Sequence, residues 1–293
     1  VAYSGGSMVI LDIINPSAPV SLSTSTFTGS ARGIYVAGQY AYVSNASSNT
    51  LHIYNVANPS APVLIATTSV GSGPEAVYVS GRYAYVANLG ASSVSIVDVA
   101  NPYAPRQISS VSSAGGRGMI VVGKYAYSAS LGSLTVNVID ISNPSSPVVV
   151  GTVNIGVSPY DIAYFDGYIY TTNYVAASMS VVNVKNPTSP TLVTSTPISN
   201  NSQSIVVSGR YAYFAGASKF TAVDISDPSR PWVIKGIVTA GNPASVAVSG
   251  RYAYVANYTN NTVYIVDISG TEVSSLIAHS AEVGNLQSRN DIF

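Results

Sequence analysis

One tripeptide governs what this chain can fold into. Tyr-Ala-Tyr, or a close variant of it, ends at Tyr3, Tyr42, Tyr85, Tyr127, Tyr170, Tyr213 and Tyr254. Successive anchors lie 39, 43, 42, 43, 43 and 41 residues apart. A fixed period of this size marks one supersecondary unit copied along the chain, each copy burying its faces against its neighbours. The third unit shows the parts: "EAVYVSG" from Glu75, "RYAYVAN" from Arg82, "SSVSIVDVANP" from Ser92 and "PRQISSVSSAGG" from Pro105. Each piece has strand length, period-two alternation and a turn signal at its end, and none carries a helical stripe or caps. Four strands per repeat of this length predict a propeller blade.

The expected fold is therefore all-β: a seven-bladed β-propeller with four antiparallel strands per blade, as a single domain over residues 1–293. The C-terminal "SRNDIF" aligns with the first strand of a unit, and the N-terminal "VAYS" aligns with the second. Blade one is thus expected to be shared between residues 1–30 and 284–293, with the C-terminal strand pairing onto the N-terminal blade. Closure of this kind removes free sheet edges, whereas an open solenoid needs a polar cap at each end. The chain lacks an initiator Met and begins inside a repeat, so it is expected to be a matured or trimmed piece.

Composition narrows the function classes. Only 8% of residues are charged and the formal net charge is zero, against about a quarter charged in ordinary chains. That excludes the basic footprint of a nucleic-acid binder and the polybasic stretch of an anionic-lipid binder. No apolar run approaches the roughly 18 residues of a spanning helix, so no transmembrane segment is expected. The absence of cysteine removes disulfides, thiolate metal sites and a Cys nucleophile. A surface rich in Ser, Thr, Asn and Tyr and poor in Lys predicts an extracellular or cell-surface location. Sequons at Asn45, Asn200, Asn257 and Asn260 are what so Ser/Thr-rich a chain produces by chance.

The recurring residues read as scaffold. Each Tyr pair, such as Tyr83 and Tyr85, sits two apart and faces one side of the second strand, while the Ala between them faces the other. The rings fill an outward-widening wedge, and their hydroxyls are expected to reach turn backbone. The third strand ends in Asp12, Asp98, Asp140, Asp224 or Asp267, but in Asn55 and Asn183 in two units. A general acid rarely tolerates that swap, whereas a side chain capping turn N–H groups does. Asn-Pro-X-X-Pro follows at Asn15, Asn58, Asn101, Asn143 and Asn186, with Asp227 in a variant copy, and predicts a rigid turn.

"YVAN…SVSIVDVANPYAP" and "AYSASLGSLTVNVIDISNPSSP" resemble LVIVD repeats, propeller-forming units of bacterial and archaeal proteins that are often secreted or surface-attached. The resemblance runs through all seven units. "YVAN" at Tyr85 and Tyr254 is also similar to YVTN-type surface-layer propellers. The resemblance implies a fold and brings no common catalytic motif with it.

Positions that vary between copies at one structural location are where a site would be grafted. Ten residues before each anchor, at the start of the innermost strand, stand Arg32, Glu75, Arg117, Tyr160, Gln203, Ala244 and, by the closure alignment, Arg289. Asp161 and Asp291 lie close by. A channel mouth is wet and takes polar residues in any case; a pocket for an anionic or sugar-like ligand would use the Arg side chains as forked donors. A second variable location, the loop between strands two and three, is expected to carry apolar tips at Leu89, Leu131, Tyr174, Phe220 and Tyr258. Such a mixture suits protein or glycan contact, and ordinary loop packing would also explain it.

Enzyme motifs are absent: there is no Ser-His-Asp order, HEXXH, P-loop or calcium loop, and no cofactor or metal site is expected. His52 and His279 are expected to be isolated surface residues. The reading is an extracellular or cell-surface binding scaffold whose partner is a protein or carbohydrate surface. The alternatives are a polysaccharide-acting hydrolase or lyase using the channel mouth, with Glu75 and Asp161 as candidate carboxylates, and a structural repeat of a larger surface assembly.

Overall fold

The computed structural model describes residues 2–3, 6–112, 115–198, 201–239, 241–259 and 261–269. These residues form an all-β propeller of antiparallel meanders. The third unit is typical, with strands at Pro74–Ser80, Tyr83–Asn88, Ser93–Asp98 and Arg106–Ser112, paired in sequence order. The first strands of successive sheets lie against one another, which makes them the innermost. They are Ala31–Ala37, Pro74–Ser80, Gly118–Val122, Pro159–Phe165, Ser202–Ser208 and Pro243–Ser249.

The expected seven blades of four strands, closed by a C-terminal strand, are corrected here. Only five sheets among the described residues carry four strands. Two carry three: Ala2–Tyr3 with Ser7–Asp12 and Val20–Thr26, and Pro243–Ser249 with Tyr252–Asn257 and Thr262–Asp267. Among the described residues six innermost strands are therefore present, where seven were expected. The reason is that the described N-terminal sheet begins at a second-strand position, Ala2–Tyr3, with no inner strand beside it among the described residues. The closing strand expected at 284–293 lies outside the described residues, as do Arg289, Asp291 and His279.

Six hydrophobic clusters hold the sheets together, each filling the space between one sheet and the next. The tyrosine pairs act as their period-two spacing demands. Tyr85 packs into the cluster shared with the following sheet, while Ala84 and Val86 pack into the cluster shared with the preceding one. Burial pushes the phenols of Tyr85, Tyr127 and Tyr170 up to about 12, the neighbouring tyrosines adding to the effect.

The first Tyr of each pair is half-buried and meets a turn side chain instead of turn backbone. Gln39 donates to the Tyr40 hydroxyl at 2.9 Å, and Arg210 Nε to that of Tyr211 at 2.8 Å. Arg82, Lys124, Arg210 and Arg251 lie over the rings of Tyr83, Tyr125, Tyr211 and Tyr252 at 5.0–5.4 Å.

The capping role read for the end of strand three holds in all seven units. Asp12, Asn55, Asp98, Asp140, Asn183, Asp224 and Asp267 each accept a hydrogen bond from the backbone N–H two residues on, at 2.8–3.0 Å. The Asn-Pro-X-X-Pro turns behave alike: Asn58, for example, accepts from Ser60 N at 3.2 Å, and its carbonyl accepts from Ala61 N at 3.1 Å. These turns also fasten neighbouring sheets, since Ser23 donates to the carbonyl of Pro59 at 2.7 Å and Ser109 to that of Pro144 at 2.5 Å.

Two expectations fail. His52 is buried, edge-on to Phe27 at 5.1 Å, and burial lowers its pKa. Phe220 is not a loop tip: it lies in the strand Lys219–Asp224, only 2% exposed, with its ring stacked on Tyr213 at 5.6 Å. Both errors share a cause. The chain is so poor in charge that a lone His or Phe beside a turn gives no signal of which way it points.

Candidate functional site at the inner-strand rim

The rim site is built by a repeated irregularity. In most inner strands the ladder to the second strand skips near its start. The register passes from Pro74 to Ala76, from Pro159 to Asp161, from Ser202 to Ser204 and from Pro243 to Ser245. In the second sheet it jumps from Ala31 to Ile34. The skipped residues are Glu75, Tyr160, Gln203, Ala244 and the pair Arg32–Gly33. Apart from Gly33, these are the positions ten before the anchors, and a bulge takes such a residue out of the ladder and re-aims its side chain. Arg117 directly precedes its strand, Gly118–Val122.

Side chains from four consecutive sheets join in one chain of contacts. Glu75 lies between two arginines, 3.9 Å from Arg32 Nε and 3.5 Å from Arg117 Nη1. Arg117 then donates to the Tyr160 hydroxyl, with its guanidinium 4.3 Å from the ring centroid. Tyr160 in turn packs on Tyr174 at 5.4 Å. Burial raises the Tyr160 pKa, opposed by Arg117. Glu75 is 12% exposed at its side chain and Arg32 41%, so the carboxylate is the sunken member and the cations rim it. The Arg117 Nε is buried without a hydrogen-bond partner. Two cations, one anion and two phenol rings offer donors to an acidic or polar group and an aromatic wall beside it.

Two glycines let this happen. A Cβ on Gly33 would sit 2.7 Å from the Glu75 carbonyl oxygen, and one on Gly118 would sit 2.6 Å from the Asp161 Cα. Both follow an arginine, so the repeated "Arg-Gly" dipeptide at Arg32 and Arg117 was the available sequence signal for close inner-strand approach.

Asp161 does not join the cluster. Its carboxylate accepts from Ile162 N at 2.9 Å and from Ile205 N at 3.0 Å, and Ser204 also bonds to it. It staples the fifth sheet to the sixth. Desolvation pushes its pKa up to about 6, against these bonds, which pull it down. Gln203 and Ala244 occupy equivalent bulges in the next two sheets, each half-buried.

The loops between strands two and three share this face. Their N–H groups bond to the residues just before the inner strands: Leu89 N to Gly73 O at 2.9 Å, and Tyr258 N to Asn242 O at 3.2 Å. Leu89 and Tyr174 are half-buried, and Tyr258 is 50% exposed. Tyr174 is thus the loop residue that reaches the cluster. Among the described residues no three of His, Asp and Glu converge as a metal site, and no helix is long and apolar enough to cross a membrane.

Comparison with known proteins agrees with the repeat. Residues 1–26, 28–69, 75–113, 116–155, 161–196, 199–239 and 240–278 each match the LVIVD repeat. None of the curated proteins matches the chain. Among solved structures, hydrazine synthase from Kuenenia stuttgartiensis is 20% identical, with 91% of each chain covered and a TM-score of 0.73. A functionally unknown protein from Desulfotomaculum acetoxidans is 14% identical, with 92% of each chain covered and a TM-score of 0.75. The periplasmic gluconolactonase of Pseudomonas aeruginosa is 14% identical, covering 85% of this chain and 84% of its own, at 0.73. Identities this low establish a shared propeller fold and leave chemistry to the residues of each chain.

Proposed function

Because the chain belongs to the LVIVD-repeat family of propellers, a fold that hosts many chemistries, we propose from its own rim that it is a binding and scaffold propeller. Its contact surface is the face carrying Arg32, Glu75, Arg117, Tyr160 and Tyr174. The observation that supports this is the continuous contact chain from four successive sheets, built from residues the ladder does not use. Structural duty does not require those residues, since Ala244 fills the same bulge elsewhere. The partner is a protein or glycan surface that presents acidic or hydroxyl groups to the arginines. An extracellular or cell-surface location is part of the proposal, supported by the polar, Lys-poor composition.

A hydrolase or lyase reading is weaker. The two carboxylates it would use are engaged elsewhere, Glu75 by two arginines and Asp161 by backbone and Ser204. The test is a glycan-array and small-anion screen of wild type against Arg32→Ala/Arg117→Ala. Loss of binding of tenfold or more is expected, as for removal of charged hot-spot donors. Equal binding by both proteins would move the contact surface away from the rim.

A further inference from the structure

The fifth unit breaks the repeat at one place on the opposite face, and the breaks line a cleft. The second strands pair Ala41, Ala84, Ala126, Ala212 and Ala253 with Val36, Val79, Val121, Val207 and Val248, but pair Ile169 with Tyr164. The hairpins that read Gly-Gln, Gly-Arg or Gly-Lys in other units read Asp166-Gly167 here. The Asp that caps strand three is Asn183, and two residues on stands Lys185, where other units hold Ala, Ser or Ile.

The consequence is mechanical. In four other units a turn cation covers its tyrosine and pairs with the capping Asp, as Arg210 does with Asp224 at 3.0 Å and Lys124 with Asp140 at 4.0 Å. Gly167 has no side chain to do either. Lys185 comes from the other side, with its ammonium 4.8 Å from the centroid of Tyr168, and its Cγ sits 2.5 Å from where a Cβ on Gly167 would be. An open cleft of about 380 Å³ results between the fourth and fifth sheets, lined by Tyr125, Tyr127, Tyr164, Asp166, Gly167 and Lys185 among others. Tyr127 and Tyr164 stack at 5.9 Å with 27° between their planes.

We propose that this cleft is a second ligand site, independent of the rim, and that it takes a single saccharide unit through its hydroxyl groups and its apolar ring face. The volume falls in the range of small-molecule sites, roughly 300–1,000 Å³. The lining combines aromatic surface, one carboxylate and one ammonium, and among the described ion pairs none joins Asp166 to Lys185. An anion would meet Asp166 and a cation would meet Lys185. A hydroxyl donates to the first and accepts from the second, while C–H groups lie on the tyrosines.

The test uses D-glucose, D-galactose, N-acetyl-D-glucosamine and their disaccharides at up to about 20 mM, a span that covers millimolar affinity, followed by saturation-transfer NMR. Two variants write the repeat back into the site: Tyr164→Val, the residue five other copies use, and Asp166→Gly/Gly167→Arg/Lys185→Ser. The expected result is binding by wild type, lost roughly tenfold or more in each variant, and unchanged in Arg32→Ala/Arg117→Ala. Absence of binding by wild type overturns the proposal. So does undiminished binding by folded Tyr164→Val, or binding lost only in the rim variant, which would assign the sugar to the rim instead. If Tyr164→Val melts early, the triple variant decides, because it leaves the Tyr127–Tyr164 stack in place.

Discussion

Single residues in this chain divide into those the fold repeats and those it leaves free. Tyr85 belongs to the first kind, 3% exposed in the cluster between the third and fourth sheets. Tyr85→Ala should cost about 3–5 kcal/mol, the range for emptying an aromatic core site; a loss under about 0.5 kcal/mol by urea denaturation would remove its assigned role. Asp161 gives a pH signature. Its folded pKa, about 6, lies above the ordinary carboxylate value of 3.8, so the native state holds that proton more tightly than the unfolded chain does. Its contribution is full below the unfolded value and is lost as pH rises through about 6. The stability difference between wild type and Asp161→Asn should therefore fall by roughly 2 kcal/mol from pH 4 to pH 7, at about 1.4 kcal/mol per unit. A flat difference would show that the carboxylate stays hydrated.

Strands, hairpins and turns were the most legible level, for a physical reason. Seven imperfect copies act as seven experiments on one backbone, so an Asp-to-Asn exchange at the end of strand three already shows that an acceptor is needed and a charge is not. The copies hid a second role. Where the cap is Asp98, Asp140, Asp224 or Asp267, the hairpin carries Arg82, Lys124, Arg210 or Arg251 and an ion pair forms. Where it is Asn55 or Asn183, the hairpin carries Gln39 or Gly167 instead. The exchange is thus a matched pair, invisible while each column of the repeat is read alone. Asp98→Asn should keep the cap and lose only an exposed ion pair, a small effect that raised salt erases. Asp98→Ala should also lose the bond to Ala100 N and melt clearly lower in both salts. Equal melting of the two variants would show that the cap contributes nothing. The rim location was legible because it varies between copies; the bulge that frees it was not, since one skipped rung leaves the alternation of apolar residues almost unchanged.

At the scale of the whole molecule, the six clusters make stability a sum of neighbour terms. Tyr85 lies between the third and fourth sheets, and Phe214 between the fifth and sixth. The losses from Tyr85→Ala and Phe214→Ala should add within about 0.5 kcal/mol in the double variant. A larger discrepancy, measured by denaturant titration, would mean that distant sheets are coupled. The count of complete blades was the least legible feature. Repeat arithmetic counts anchors on second strands, whereas a blade also needs an inner strand from somewhere, and the N-terminal unit has none among the described residues.

The skipped rungs have a further consequence. An extra residue inside a ladder ordinarily turns every later side chain to the wrong face; here each insertion is absorbed within one rung, before the apolar alternation resumes. The identity of that residue is thereby uncoupled from register and core, as the spread from Arg32 through Tyr160 to Ala244 illustrates. The rim is a display position repeated around an axis. Randomising Arg32, Glu75, Tyr160, Gln203 and Ala244 together would yield a library of binding faces on an unchanged frame, by the same route through which mutation can give sibling propellers new partners without renegotiating their fold.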